Sequence, residues 1–198
     1  MNQTAQKPLI CVRRFLAVCA FAIALAFVIN AAFGDRALTT VLVEGQPIAA
    51  QIGWGIAFGL AISVPSVVVV FFVPLFSPLR RQLLDLVSRV DLHAFNPLWI
   101  SLCAGIGEEL LFRGAIQPVV GVWWASVIFT LAHFRSGQFH SMNWQKLIYA
   151  ASVFIAGLFL GYVFLEIGLI AAMVTHATVD VVSLFTAQRL LRVSPTCA

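Results

Sequence analysis

Six long apolar runs, near residues 14–33, 52–76, 97–117, 119–138, 147–165 and 167–189, leave this chain few ways to fold. At a helical rise of 1.5 Å per residue each is long enough to cross a hydrocarbon core ~30 Å thick. The runs lack the alternation of a membrane barrel, so helices are expected. Composition agrees: 61% of the 198 residues are hydrophobic and only 10% are charged, whereas a soluble domain carries about a quarter charged residues. The expectation is an all-α, polytopic transmembrane bundle of about six spans, integral to the membrane.

Lys and Arg set the orientation. With the N-terminus inside, the inner stretches hold Lys7, Arg13, Arg14, Arg80, Arg81, Arg89, Arg135, Lys146, Arg189 and Arg192, and the outer ones hold Arg36. Both termini are therefore expected to be cytoplasmic. Trp54, Trp99, Trp123, Trp124, Trp144 and Tyr149 fall near predicted segment ends, as interfacial aromatics do. No basic, aromatic-interleaved patch suggests a nucleic-acid partner.

The first run follows Lys7, Arg13 and Arg14, and Ala31-Ala32 imitates a signal-peptide cleavage site. It exceeds the usual h-region length, so a retained first helix is expected. Between residues 77 and 96, Leu83, Leu84, Val87 and Val90 recur at helical spacing among Arg81, Asp85, Arg89 and Asp91. This reads as an amphipathic helix on the cytoplasmic surface, with His93 solvated beside it. Gly55-x-x-x-Gly59 and Gly157-x-x-x-Gly161 permit close helix contact, and Pro65 is expected to kink the second span. Cys11, Cys19, Cys103 and Cys197 show neither paired nor metal-ligand spacing and read as small apolar fillers with one tail thiol. The chain divides into two N-terminal helices plus the amphipathic segment (1–94), a four-helix core (95–189) and a short tail (190–198).

Against this background six polar residues stand out: Glu108, Glu109, Arg113, His133, His176 and Asp180. A charge at the bilayer centre costs roughly 2.5–3.5 kcal/mol even on permissive scales. Polar groups retained at that depth point to a site lined by the bundle interior. Helical residues four apart share a face, so Glu109 and Arg113 are natural partners. Glu108 points ~100° away with no local cation, and is left free for chemistry. His176 and Asp180 share a face in the same manner. If Trp123 and Trp124 mark the outer interface, His133 lies ~14 Å below it, and Glu108 lies ~16 Å in from Pro97. These depths meet only if the fourth span continues past His133 or the site opens as a funnel to the cytoplasm.

A carboxylate and an imidazole can polarise a water between them while a second imidazole donates to a developing oxyanion. That set suffices for amide hydrolysis without a covalent intermediate. A base buried there must still be ionised at working pH, which asks for a neighbouring donor, and His133 is the candidate. No Ser or Cys stands in a nucleophile motif, and Cys103 reads as core. Glu108, His133 and His176 are also legitimate zinc ligands, although no His-Glu-x-x-His helix is present. The same groups could relay protons in a transport protein, though no inverted repeat is visible. A non-catalytic membrane chaperone or scaffold is a further alternative.

At these residues the chain resembles the CPBP family of intramembrane proteases, also called Abi, which contains the eukaryotic type II CaaX prenyl protease. The family pattern Glu-Glu-x-x-x-Arg, Phe-x-x-x-His, His-x-x-x-Asn/Asp reads here Glu108-Glu109-Leu-Leu-Phe-Arg113, Phe129-Thr-Leu-Ala-His133 and His176-Ala-Thr-Val-Asp180. The resemblance covers roughly residues 95–185, and residues 1–94 match nothing. It implies a glutamate-type peptidase without a cofactor, its cavity facing the cytoplasm. Glu108 would activate water with His133, and His176 with the residue at 180 would stabilise the oxyanion. The eukaryotic prenyl protease has Asn at the last position. An ionised Asp cannot donate to an oxyanion, so Asp180 is read as orienting His176. The short chain suggests a bacterial member of the inner membrane. Its substrate would be a peptide or protein with a leader or a C-terminal sorting signal, as in bacteriocin maturation or self-immunity.

Overall fold

The structure, a computed structural model, describes residues 10–133 and 144–191. The described residues are mostly helical: α1 (Val12–Phe33), α2 (Leu38–Val43), α3 (Ile48–Phe72), α4 (Ser77–Val87), α5 (Asn96–Glu109), α6 (Gln117–His133), α7 (Trp144–Glu166) and α8 (Leu169–Leu191). A π-helical turn, Leu110–Ile116, joins α5 to α6. The polytopic all-α bundle is as expected.

Among the described residues five stretches, rather than the six expected, are long and apolar enough to cross a membrane. The expected third and fourth spans run on as one 38-residue stretch, Asn96–His133. It breaks at Gly121, whose φ of 80° and ψ of 165° are non-helical. That left-handed φ is open to glycine, so the bend falls there rather than at Pro118. The limb from Val122 to His133 rises only ~18 Å, less than a full crossing. Arg135, Gly137 and the rest of the fourth expected run lie outside the described residues, as do Lys7, Arg192 and Cys197.

The outside of the bundle is greasy. Phe21 and Val28 on α1, Leu60 and Val68 on α3, and Ile155 and Leu165 on α7 are large, apolar and exposed. Such a surface suits acyl chains. The interior is built from small residues. On α3, Gly55 and Gly59 face α8. A methyl group at Gly55 would come within 2.6 Å of Val174 Cβ and 2.9 Å of the Ala171 carbonyl. Ser63, a turn further along, satisfies its hydroxyl on the Gly59 carbonyl at 2.6 Å. Gly157 and Gly161 serve the same purpose between α7 and α6, where they meet Ser126 and Val122. Pro65 lies inside α3, which runs on through it.

At one end of the bundle, buried Gln51 ties two turns together. It donates to the carbonyls of Gln46 at 2.8 Å and Glu44 at 3.1 Å, and accepts from the Ala171 amide at 3.3 Å. That last bond satisfies a first-turn N–H of α8 that the helix itself cannot. At the other end the amphipathic helix is confined to Ser77–Val87. The remainder of the expected segment becomes a loop, held by Ile10 pairing with Val90 and by Gln188 donating to the Leu92 and Ala94 carbonyls. His93 is exposed there, as expected. Cys19 and Cys103 are free, Cys103 buried as read. Cys11 is disulfide-bonded, correcting its reading as a filler; no spacing in the sequence signalled that bond.

The main interior cluster centres on the π turn. Leu110, Leu111, Phe112 and Ala115 pack against Ala22 and Ala26 of α1, Leu38 and Val41 of α2, Phe129 of α6, and Leu169 and Met173 of α8. Overpacking a tight helix contact costs roughly 1–3 kcal/mol. Gly55→Leu is therefore expected to lower the melting temperature of the detergent-solubilised protein. Gly53→Leu, at a position with open space around it, is expected to leave it unchanged.

Candidate active site

Close backbone approaches bring the polar residues of the site together. Gly105 lies against the Met173 carbonyl and Ala177 of α8, and Gly107 against Cys19 of α1. A side chain at Gly105 would collide with the α8 backbone. Its absence lets α5 reach α8 one turn before Glu109, so that Glu109 meets His176. On the other side, the Val122–His133 limb of α6 packs along α7 and returns His133 to the level of Glu108.

The acids separate as the helical spacing predicts. Glu109 and Arg113 have fully buried side chains, and Arg113 Nε lies 3.2 Å from Glu109 Oε2. The guanidinium also donates through Nη2 to the Gly157 carbonyl at 3.2 Å. It stacks over the Phe129 ring, 4.6 Å from the centroid. Glu108 instead has a side chain 30% exposed, with Oε2 3.5 Å from Nε2 of His133, itself 28% exposed. The expected meeting of Glu108 and His133 is thus present. Phe129 stands between the two imidazoles, its centroid 4.4 Å from the His133 ring and 6.2 Å from the His176 ring.

The tautomer of His133 follows from its neighbours. Nδ1 lies 2.9 Å from the Phe129 carbonyl, which can only accept, so Nδ1 carries a proton. In the neutral ring Nε2 then presents a lone pair to Glu108. Two acceptors face one another at 3.5 Å. A species with two protons to give, such as water, satisfies both at once.

His176 departs from the sequence expectation. Its Nδ1 lies 2.7 Å from Glu109 Oε1, while Asp180 Oδ2 stands 3.6 Å from Nε2. The short bond that orients the ring therefore comes from Glu109, not from Asp180. Only spacing on a single helix was available from the sequence, and the Glu109 contact joins α5 to α8. Glu109 serves the cation of Arg113 and the ring of His176 together. Asp180, with a side chain 33% exposed, belongs with Glu108 and His133 on the open side.

Sequence reasoning missed Gln117. It sits four residues after Arg113, is 4% exposed, and donates to the Gly161 carbonyl at 3.0 Å. Arg113 and Gln117 thus grip two α7 carbonyls one turn apart, at the glycines that let α7 come close. A polar residue on the Arg113 face of an apolar run was the available signal. Among the described residues, no group of three or more His, Cys, Asp or Glu is arranged to hold a metal ion.

Removing one member of a buried ion pair leaves an uncompensated charge and costs about 3–5 kcal/mol. Arg113→Met is expected to destabilise the protein by that order. Arg113→Met with Glu109→Gln is expected to recover part of the loss in chemical or thermal unfolding. Additive effects of the two substitutions would remove the pair from the account.

Comparison with known proteins meets the chain at these residues. The family described as "Type II CAAX prenyl endopeptidase Rce1-like" matches residues 91–182. The "Uncharacterized protein YpbD" of Bacillus subtilis (strain 168) is 36% identical over 62 residues, which is 31% of this chain and 31% of that protein. The match thus spans less than a third of that relative. No solved structure matches. The five apolar helices and the family together support an integral, multi-pass membrane protein. The matched stretch, just under half of the chain, contains all six polar side chains of the site, and it is there that the chain is similar to this family.

Proposed function

We propose that the protein is an intramembrane endopeptidase that hydrolyses a peptide bond in a membrane-proximal substrate, using a water activated by Glu108 and His133. The observation that carries this reading is the approach of Glu108 Oε2 to His133 Nε2 at 3.5 Å beside a sealed ion pair, with Oε2 buried and without a hydrogen-bond partner among the described residues. A water donating to both gives up one proton to this pair as its oxygen attacks the scissile carbonyl. The carbon–oxygen bond forms and the carbonyl electrons move to oxygen. The carbon–nitrogen bond then breaks as the abstracted proton passes to the leaving amine. His176, held by Glu109, stands ready to stabilise the oxyanion. The step needs no cofactor. The site faces the cytoplasm of a bacterial inner membrane, following the Lys and Arg bias of the loops. The substrate is a peptide or protein presented by a leader or a C-terminal sorting signal.

The test uses full-length protein in proteoliposomes with quenched fluorescent peptides that carry an apolar anchoring segment. General-base catalysis contributes typically 10²–10⁴-fold. Glu108→Gln and His133→Ala are each expected to reduce kcat by about 10³-fold while the protein inserts and melts as the wild type does. Glu108→Gln turning over at the wild-type rate overturns the reading. Cleavage abolished by a chelator and restored by zinc replaces it with a metal-dependent one.

A further inference from the structure

The amphipathic helix α4 contributes nothing to the site above, yet it closes over an apolar cleft. The cleft has a volume of ≈ 200 Å³ and lies between α3, α4 and α8. Val67, Val70 and Phe71 of α3, Leu83 and Val87 of α4, and Leu184 of α8 line it. Pockets for small molecules run to about 300–1,000 Å³. This one is narrower, and it fits a linear hydrocarbon segment rather than a helix or a folded partner.

A cation stands beside the cleft. Arg80 precedes Leu83 and Val87 by three and seven residues, so its stem shares the helix face that lines the cavity. Its guanidinium is half-buried and donates to the carbonyl of Phe71, a lining residue, at 2.6 Å. That bond satisfies a carbonyl in the last turn of α3. It leaves most of the guanidinium's donors unused. Among the described residues no carboxylate meets Arg80 or its exposed neighbour Arg81, whereas Arg89 is paired with Asp85 at 3.3 Å. A fixed cation next to an apolar cavity calls for a ligand with an anionic head and an apolar tail. The Lys and Arg bias assigns this end of the bundle to the cytoplasm, where anionic lipids attract basic segments beside the membrane.

We propose that the cleft binds one anionic phospholipid, with its phosphate on Arg80 and Arg81 and one acyl chain between α3, α4 and α8. The two cations select the head, and the width of the cavity selects a single chain. Binding breaks no covalent bond and stands apart from the peptidase reading.

The test uses full-length protein, purified in detergent and delipidated, with native mass spectrometry to count added lipids. Phosphatidylglycerol is compared with phosphatidylcholine of identical acyl chains. A Lys or Arg near an anionic surface is worth about fivefold in affinity, so two cations are expected to favour one phosphatidylglycerol by about 25-fold. Arg80→Gln is expected to weaken it about fivefold and to leave the choline lipid unchanged. Arg13 and Arg14 are exposed at the same end, where Ile10 pairs with Val90. Replacing both by Gln is expected to change neither lipid. Independently of any variant, a phosphatidylglycerol carrying a diazirine in one acyl chain is expected to label peptides containing Val70 and Leu83. Equal binding of the two lipids, an equal loss in the Arg13 and Arg14 variant, or labelling confined to other helices overturns the assignment. So does an apolar peptide that displaces the lipid and labels the same two helices, which makes the cleft a peptide site.

Discussion

The buried pair of Glu109 and Arg113 is the interaction on which the rest of the site depends. Neither charge could remain in an apolar bundle alone, and each is answered more than once. Arg113 meets a carboxylate, a backbone carbonyl of α7 and the face of Phe129. Glu109 meets that cation and His176. Through these contacts one ion pair connects α5, the π turn, α6, α7 and α8. A buried pair is weak evidence for net stability, because desolvation offsets much of the attraction. Its value here is positional: it holds the two imidazole-bearing helices at fixed distances from α5.

Burial sorts the polar groups into two ranks. Glu109 and Arg113 are sealed, whereas Glu108, His133 and Asp180 keep part of their side chains exposed. His176, 11% exposed, bridges the ranks. Adjacent residues on one helix are thereby given opposite tasks. The sealed acid maintains geometry, and its neighbour keeps part of its side chain exposed. Under the proposed peptidase function both conditions are needed within one turn, since the scaffold must exclude water from the lipid while the reaction consumes it.

Much of this was legible in the residue order. Apolar runs predicted helices, four-residue spacing predicted the Glu109–Arg113 pair, and depth along the spans allowed Glu108 to meet His133. What escaped was set between helices. The bond from Glu109 to His176 joins positions 67 apart in sequence, and single-helix spacing pointed instead to Asp180. Gln117 was hidden because its partner is a backbone carbonyl, which carries no sequence signature. The division at Gly121 was displaced because the length of an apolar run does not reveal where a helix turns.

The π turn separates chain length from rotational phase. Its bonds reach back five residues instead of four, so Leu110–Ile116 holds one residue more than the same turn would in regular helix. The wider turn absorbs that residue: were it excised, the ordinary ladder could close and everything downstream would keep roughly its present direction. In a regular helix the same loss would rotate the remainder by ~100°. The stretch between the sealed acid and Gln117 is thus one where a single-residue change of length costs little in aim.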